Sequence, residues 1–188
     1  MRAFLALIVL LAGLSPAFAQ AQTSDVSPRF ALTDHTGRAV TQADFAGRFL
    51  LLTFGYTACP DVCPTGLQTM AATLDALGPE AGKVRAAFIT VDPQRDTPAQ
   101  LSGYVALFHK DLIGLTGDEP AIADVAKQMR VKYAKVVVRP EDPDAYAMDH
   151  TASFFLIGPD GRLLDRLPHR LPPEKLAEKI VQRIRGGA

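Results

Sequence analysis

Phe54-Gly55-Tyr56-Thr57-Ala58-Cys59-Pro60-Asp61-Val62-Cys63-Pro64 decides how the rest of the chain is read, because it holds the only two cysteines among 188 residues. The apolar run 49–54 leads into it, as a strand covered on both faces would. Behind it Leu67, Met70, Leu74 and Leu77 recur at three- and four-residue spacing, which predicts a helix over 65–77 with one buried face. Pro64 suits the first turn of that helix, where its missing N–H has no partner to lose, and Gly78-Pro79 closes it. Both thiols therefore sit on a strand-to-helix turn, the edge at which α/β proteins place chemistry.

Downstream, 84–91 (VRAAFITV) reads as a second buried strand. Thr97-Pro98-Ala99-Gln100 opens a helix, with a Thr cap, Pro at the first position and Gln placed to complete a capping box. Leu101, Tyr104, Val105 and Phe108 form its apolar face. A short strand over 112–115, a helix over 118–129 with Ile122, Val125 and Met129 inward, and a strand over 131–138 follow. The stretch 139–147 is polar, acidic and proline-bearing, and reads as a surface loop. Residues 153–157 and 162–167, around Gly158-Pro159-Asp160-Gly161, read as a β-hairpin, and 171–185 as an amphipathic helix with Leu176, Ile180, Val181 and Ile184 inward. Upstream, 30–33 and 38–41 make a small hairpin. Strands alternating with helices predict an α/β fold with a mainly parallel centre. The late hairpin followed by a terminal helix is the thioredoxin-like variant: a central mixed sheet flanked by helices, one domain over 29–188.

The chain opens Met1-Arg2, runs apolar over 3–14 and reaches Ala17-Phe18-Ala19, which reads as a signal peptide over 1–19 cleaved after Ala19. The alternative is a membrane anchor through residues 3–14, but that run is short of the ~20 apolar residues that span a bilayer, and Pro16 follows it. No cysteine lies near the cleavage point to carry a lipid, and no later stretch is apolar enough to span. Residues 20–28 are polar and expected to be disordered. Twenty basic residues balance twenty acidic ones with no basic run, which argues against nucleic acid as a partner. Export implies an oxidising compartment, where paired cysteines usually form structural disulfides.

Here a disulfide would close a loop of only three intervening residues, and chain-entropy stabilisation grows with loop length, so it would staple little. A pair that is kept close yet is a poor staple points to redox chemistry or to metal binding. Thioredoxin-type oxidoreductases place two residues between their cysteines; the wider spacing here lets both sulfurs converge on one ion. Cys63 stands at the start of the helix, whose N-terminus favours a thiolate, so its pKa is expected to be lowered. Two thiolates select soft or borderline metals such as copper(I) or zinc, while an iron–sulfur cluster needs about four cysteines and is excluded. A third ligand must come from His35, His109, His150 or His169. His150 lies just before the strand 153–157, and in a thioredoxin-like fold the turn before that strand faces the cysteine-bearing helix start. On the residues alone it stays open between a ligand and a structural histidine. His109 reads as a helix C-terminal cation, and His35 and His169 as solvated.

The stretch FGYTACPDVCP, then VDPQRDTP over 91–98, then MDHTASFFLIGPDG over 148–161, resembles the Sco/SenC family of copper chaperones, in order and across essentially the whole mature chain. The resemblance implies a thioredoxin-like fold and copper, as Cu(I) or Cu(II), bound by Cys59, Cys63 and His150. It implies a role in building the dinuclear CuA site of cytochrome c oxidase subunit II; another periplasmic copper chaperone is a candidate second partner, and the sequence does not identify the copper donor. Oxidation to a Cys59–Cys63 disulfide would remove two of the three ligands, so the same redox-active pair also fits a thiol–disulfide oxidoreductase acting on a partner's cysteines. A peroxidase of this fold is disfavoured by the pairing of the cysteines, and a structural zinc site lacks a placed fourth ligand.

Asp92, Asp149 and Asp61 are candidates to support the ligands, Asp92 together with Arg95 and Asp96 at the carboxyl edge of the sheet. The structural alternatives are Asp92-Pro93 as a turn, Asp96 paired with Arg95, and Asp61 as a solvated turn residue. Met70 reads as core rather than as a ligand, and Met148 is left unassigned. Many members of the family are held to the membrane by an uncleaved N-terminal helix. The cleavable leader here predicts a soluble periplasmic protein with no stable membrane span.

Overall fold

Phe49–Gly55 (β3) is buried along its whole length because it has strands on both sides and helices over both faces. The structure, a computed structural model, describes residues 26–187, so the leader 1–19 and residues 20–25 lie outside the described residues. β3 pairs in parallel with Val84–Thr90 (β4), which pairs in parallel with Leu112–Thr116 (β5). On its other side β3 runs antiparallel to Ser153–Ile157 (β8), which turns back into Leu163–Pro168 (β9). Ala31–Asp34 (β1) and Ala39–Thr41 (β2) complete a seven-stranded mixed sheet in the order β2-β1-β5-β4-β3-β8-β9.

The alternation of side chains along a strand divides the core into two layers. Leu50, Leu52 and Phe54 point with Ala87 and Ile89 toward the helix Glu119–Gln128 (α3). Leu51 points with Ala86 and Phe88 toward three helices: Val62–Ala76 (α1), Pro98–Ala106 (α2) and Pro173–Gly186 (α4). Thr97 caps α2 by accepting the Gln100 N–H at 3.3 Å. No helix among the described residues is long and apolar enough to cross a membrane.

Three expectations change. α1 begins at Val62, not at residue 65, so Cys63 lies inside its first turn. Cys63, Leu67, Met70 and Leu74 form one face, and the leucine spacing alone understates where that face starts. The expected loop 139–147 is instead part of a strand: Tyr133–Arg139 (β6) and Asp142–His150 (β7) pair antiparallel, with Tyr133 opposite His150 and Val137 opposite Tyr146. This two-stranded ribbon pairs with no strand of the main sheet. One face, with Tyr133, Tyr146, Met148 and His150, is only half-buried and mixes polar with apolar residues, so no alternation of apolar residues marks the strands, and Val136, Val137 and Val138 are exposed. Finally, the described end of 20–28 is held in place: the Val26 carbonyl accepts from the Leu163 N–H at 2.8 Å.

Candidate metal centre

Three chain segments meet beyond the carboxyl end of β3. Cys59 lies in the turn after β3, Cys63 in the first turn of α1, and His150 is the last residue of β7. Both cysteines are free thiols, 9% and 5% exposed. The Cys63 sulfur lies 3.3 Å from His150 Nε2, and one ligand atom from each of Cys59, Cys63 and His150 falls within 4.8 Å of the others.

The surrounding sequence allows this approach. A Cβ at Gly55 would fall 2.7 Å from the Cys63 sulfur and 2.6 Å from the Phe88 ring, so only glycine lets the helix start close over the strand end. The turn bearing Cys59 is tied down by Asp96, which is fully buried. Asp96 accepts the Thr57 N–H at 2.9 Å, the Thr57 hydroxyl at 2.6 Å and the Thr90 hydroxyl at 2.6 Å. His150 Nδ1 stands 3.2 Å from the Thr151 carbonyl, which can only accept, so Nδ1 carries the proton and the Nε2 lone pair is free on the side of Cys63. The Tyr56 ring meets the imidazole edge-on, with centroids 6.1 Å apart.

Burial sets the protonation of the centre. It pushes the His150 pKa down, which favours the neutral, ligating imidazole. It pushes the Cys63 thiol up, helped by neighbouring Cys59 and opposed by a backbone hydrogen bond at Tyr56. The lowered thiol pKa expected from the helix N-terminus is not found: burial at the strand end beside Gly55 raises it instead. Two soft sulfurs and one inward imidazole nitrogen, in apolar surroundings, suit a soft cation that displaces the thiol protons.

The SCO1/SenC family model matches residues 18–185. This chain belongs to the SCO1/SenC family. It is 40% identical over 154 residues to the mitochondrial SCO2 homolog of Bos taurus, across 80% of this chain and 57% of that protein. The chain thus spans little more than half the length of that curated relative. Two solved structures share the fold. ScoI of Bradyrhizobium japonicum with copper bound has a TM-score of 0.76 and 43% identity, over 84% of this chain and 98% of that one. Yeast Sco1 with copper bound has a TM-score of 0.78 and 31% identity, over 87% and 90%. The thioredoxin-like architecture expected from the element order is the architecture of this SCO1/SenC chain.

The remaining candidates sort differently in this family member. Asp92 is buried and binds Arg95 and the Tyr146 hydroxyl, the latter at 2.9 Å. Arg95 pairs with Asp92, not with Asp96 as the structural alternative had it. Asp61 is exposed at the N-cap of α1 and makes no capping bond with its side chain. Asp149 is exposed on the ribbon and acts on His150 through its charge, favouring the imidazolium. Met70 is fully buried in the α1 layer, and Met148 packs half-buried against the other. His109 lies 3.5 Å from Asp75 at the far end of α2. His35 and His169 are half-buried rather than solvated: His35 Nδ1 accepts the Gly114 N–H at 3.1 Å, and His169 stacks on Phe154. Gly55, Thr57 and Tyr146 were missed as contributors. Tyr146, the lone aromatic in the acidic stretch 139–147, is the one with a visible signal.

Proposed function

We propose that this protein is an exported copper chaperone that carries copper, as cargo, on Cys59, Cys63 and His150 and delivers it to the CuA site of cytochrome c oxidase subunit II. The convergence of two thiols and an inward imidazole nitrogen within 4.8 Å carries the reading. Two thiolates and one imidazole form a trigonal donor set suited to copper(I), and a further donor or water would complete it for copper(II). Membership of the SCO1/SenC family supports copper as the cargo and the oxidase as the destination. A hollow of about 270 Å³ lined by Lys132, Asp149 and His150 opens the imidazole side to a partner's ligands. Release there would proceed by ligand exchange, with the buried thiols recovering their protons. Another periplasmic copper chaperone would supply the metal.

Titration of the reduced protein with copper(I) beside a competing chelator tests this. Wild type should bind one equivalent, and His150→Ala should bind far more weakly. Equal affinity in the two proteins would remove His150 from the site.

The free, adjacent thiols support a second reading. Cys59 and Cys63 could reduce a partner's disulfide, giving it two electrons and two protons while forming their own. A Cys59–Cys63 potential too high to reduce an oxidised CuA domain would remove that role.

A further inference from the structure

His150 stands on a ribbon outside the main sheet, so something other than strand pairing must fix its distance from the cysteines. An isolated two-stranded ribbon is marginally stable by itself. At its base the Thr151 N–H donates to the Lys132 carbonyl at 2.8 Å, and the Lys132 N–H to the Thr151 hydroxyl at 3.0 Å. Further out, Tyr146 lies four residues from His150 on the same face of β7, about 13 Å along the strand. The Tyr146 hydroxyl donates to Asp92, and the Tyr146 carbonyl accepts from Arg95 Nη1 at 3.0 Å. Arg95 Nε donates to the same Asp92 carboxylate. The Arg95 guanidinium and the Lys135 ammonium each lie 3.7 Å from the Tyr146 ring centroid. At that separation the two cations must occupy opposite faces of the ring.

The contacts continue inward. The Asp92 N–H donates to the Thr90 hydroxyl at 2.9 Å, and that hydroxyl donates to Asp96, which holds Thr57. One hydrogen-bonded path thus joins the ribbon carrying His150 to the turn carrying Cys59.

We infer that Asp92, Arg95 and Tyr146 form a tether that positions His150 against the thiols, so that the third ligand is preorganised before the metal arrives. They are positioning residues, since none of them contributes to the Cys59, Cys63 and His150 cluster. The inference rests on the copper reading for its consequence and on the metal-free protein for its geometry.

The variants are Arg95→Met, which keeps the length of the side chain, and Tyr146→Phe, which keeps the stacked ring and loses only the hydroxyl. Lys135→Met is the control, since it removes the outer cation alone. In the metal-free protein, amide exchange over residues 146–150 should accelerate in Arg95→Met and Tyr146→Phe while the β3 and β4 amides keep wild-type protection. Copper(I) affinity should fall about 10- to 100-fold in Arg95→Met, the range typical of outer partners of metal ligands, and should hold in Lys135→Met. Wild-type exchange in the ribbon of both variants would overturn the tether. So would acceleration shared equally by β3 and β4, which marks general destabilisation. His150→Ala in the same titration separates the two readings: if it binds copper as wild type does, the ligand assignment fails, and the exchange data still decide the tether.

Discussion

A Cβ on Gly55 would lie 2.7 Å from the sulfur of Cys63, closer than real Cβ atoms approach anything. The last residue of β3 is therefore a spacer whose absent side chain sets how near α1 can begin to the sheet. The second close atom is Phe88 Cε2 at 2.6 Å, on a ring fully buried in β4. Neither neighbour is the loose end of an exposed chain, so relief must come from moving the core or the thiol.

Gly55→Ala should therefore destabilise the fold by about 1–3 kcal/mol, the usual cost of overpacking a filled interior. It should also displace Cys63 from His150 and weaken copper(I) binding. Denaturant melts of the metal-free protein give the first quantity and chelator competition the second. Wild-type stability would mean that α1 is free to slide, contrary to its close packing on Gly55.

Copper(I) binding should be coupled to proton release. Burial holds the Cys63 thiol above its ordinary pKa, so Cys63 carries its proton at neutral pH in the metal-free protein. A raised thiol pKa means that the proton must be displaced by the metal throughout the neutral range. Affinity should accordingly rise with pH, by about tenfold per unit for each proton displaced. His150 adds little to this slope near neutrality, because its lowered pKa leaves it already unprotonated. Calorimetry in buffers of differing ionisation enthalpy counts the protons released. An affinity flat between pH 6 and 8 would show that Cys63 is a thiolate beforehand.

The sheet was legible in the sequence because β3, β4 and β8 are buried on both faces, and such strands appear as unbroken apolar runs. The cysteine pair was legible for a similar reason: the run into Gly55 and the leucine spacing out of Pro64 bracket it. The ribbon was not. Its nine-residue second strand carries three aspartates and a proline, and its inward face of Tyr146, Met148 and His150 is only half-buried and largely polar, so it reads as a loop. The thiol pKa was misjudged because helix position shows in a sequence, whereas the burial of Cys63 beside Gly55 depends on residues brought together only by the fold. Likewise Asp96 holds Thr57, 39 residues earlier, while adjacent Arg95 belongs to Asp92.

That long-range bond supplies a graded test of how the cysteine turn is held. One Asp96 oxygen accepts only the Thr57 hydroxyl, and the other accepts the Thr57 N–H and the Thr90 hydroxyl. In Asp96→Asn the amide oxygen can take the second position and the NH₂ the first. The Thr57 hydroxyl then rotates to accept, and the backbone bond survives. The cost is the difference between charge-assisted and neutral hydrogen bonds, about 1 kcal/mol. In Asp96→Ala no acceptor remains for the Thr57 N–H, and three bonds at a buried position are lost, costing about 2–4 kcal/mol. Much of that loss should appear as local opening of the turn rather than as global unfolding, because Thr57 is two residues from Cys59 and Cys59 is only 9% exposed. The rate of thiol alkylation at Cys59 under native conditions reads the opening directly. It should rise by on the order of tenfold or more in Asp96→Ala, since each 1.4 kcal/mol of local stability is a factor of ten, and should stay within a few-fold of wild type in Asp96→Asn. Equal rates in the two variants would show that the negative charge of Asp96, not its two acceptor oxygens, holds the turn.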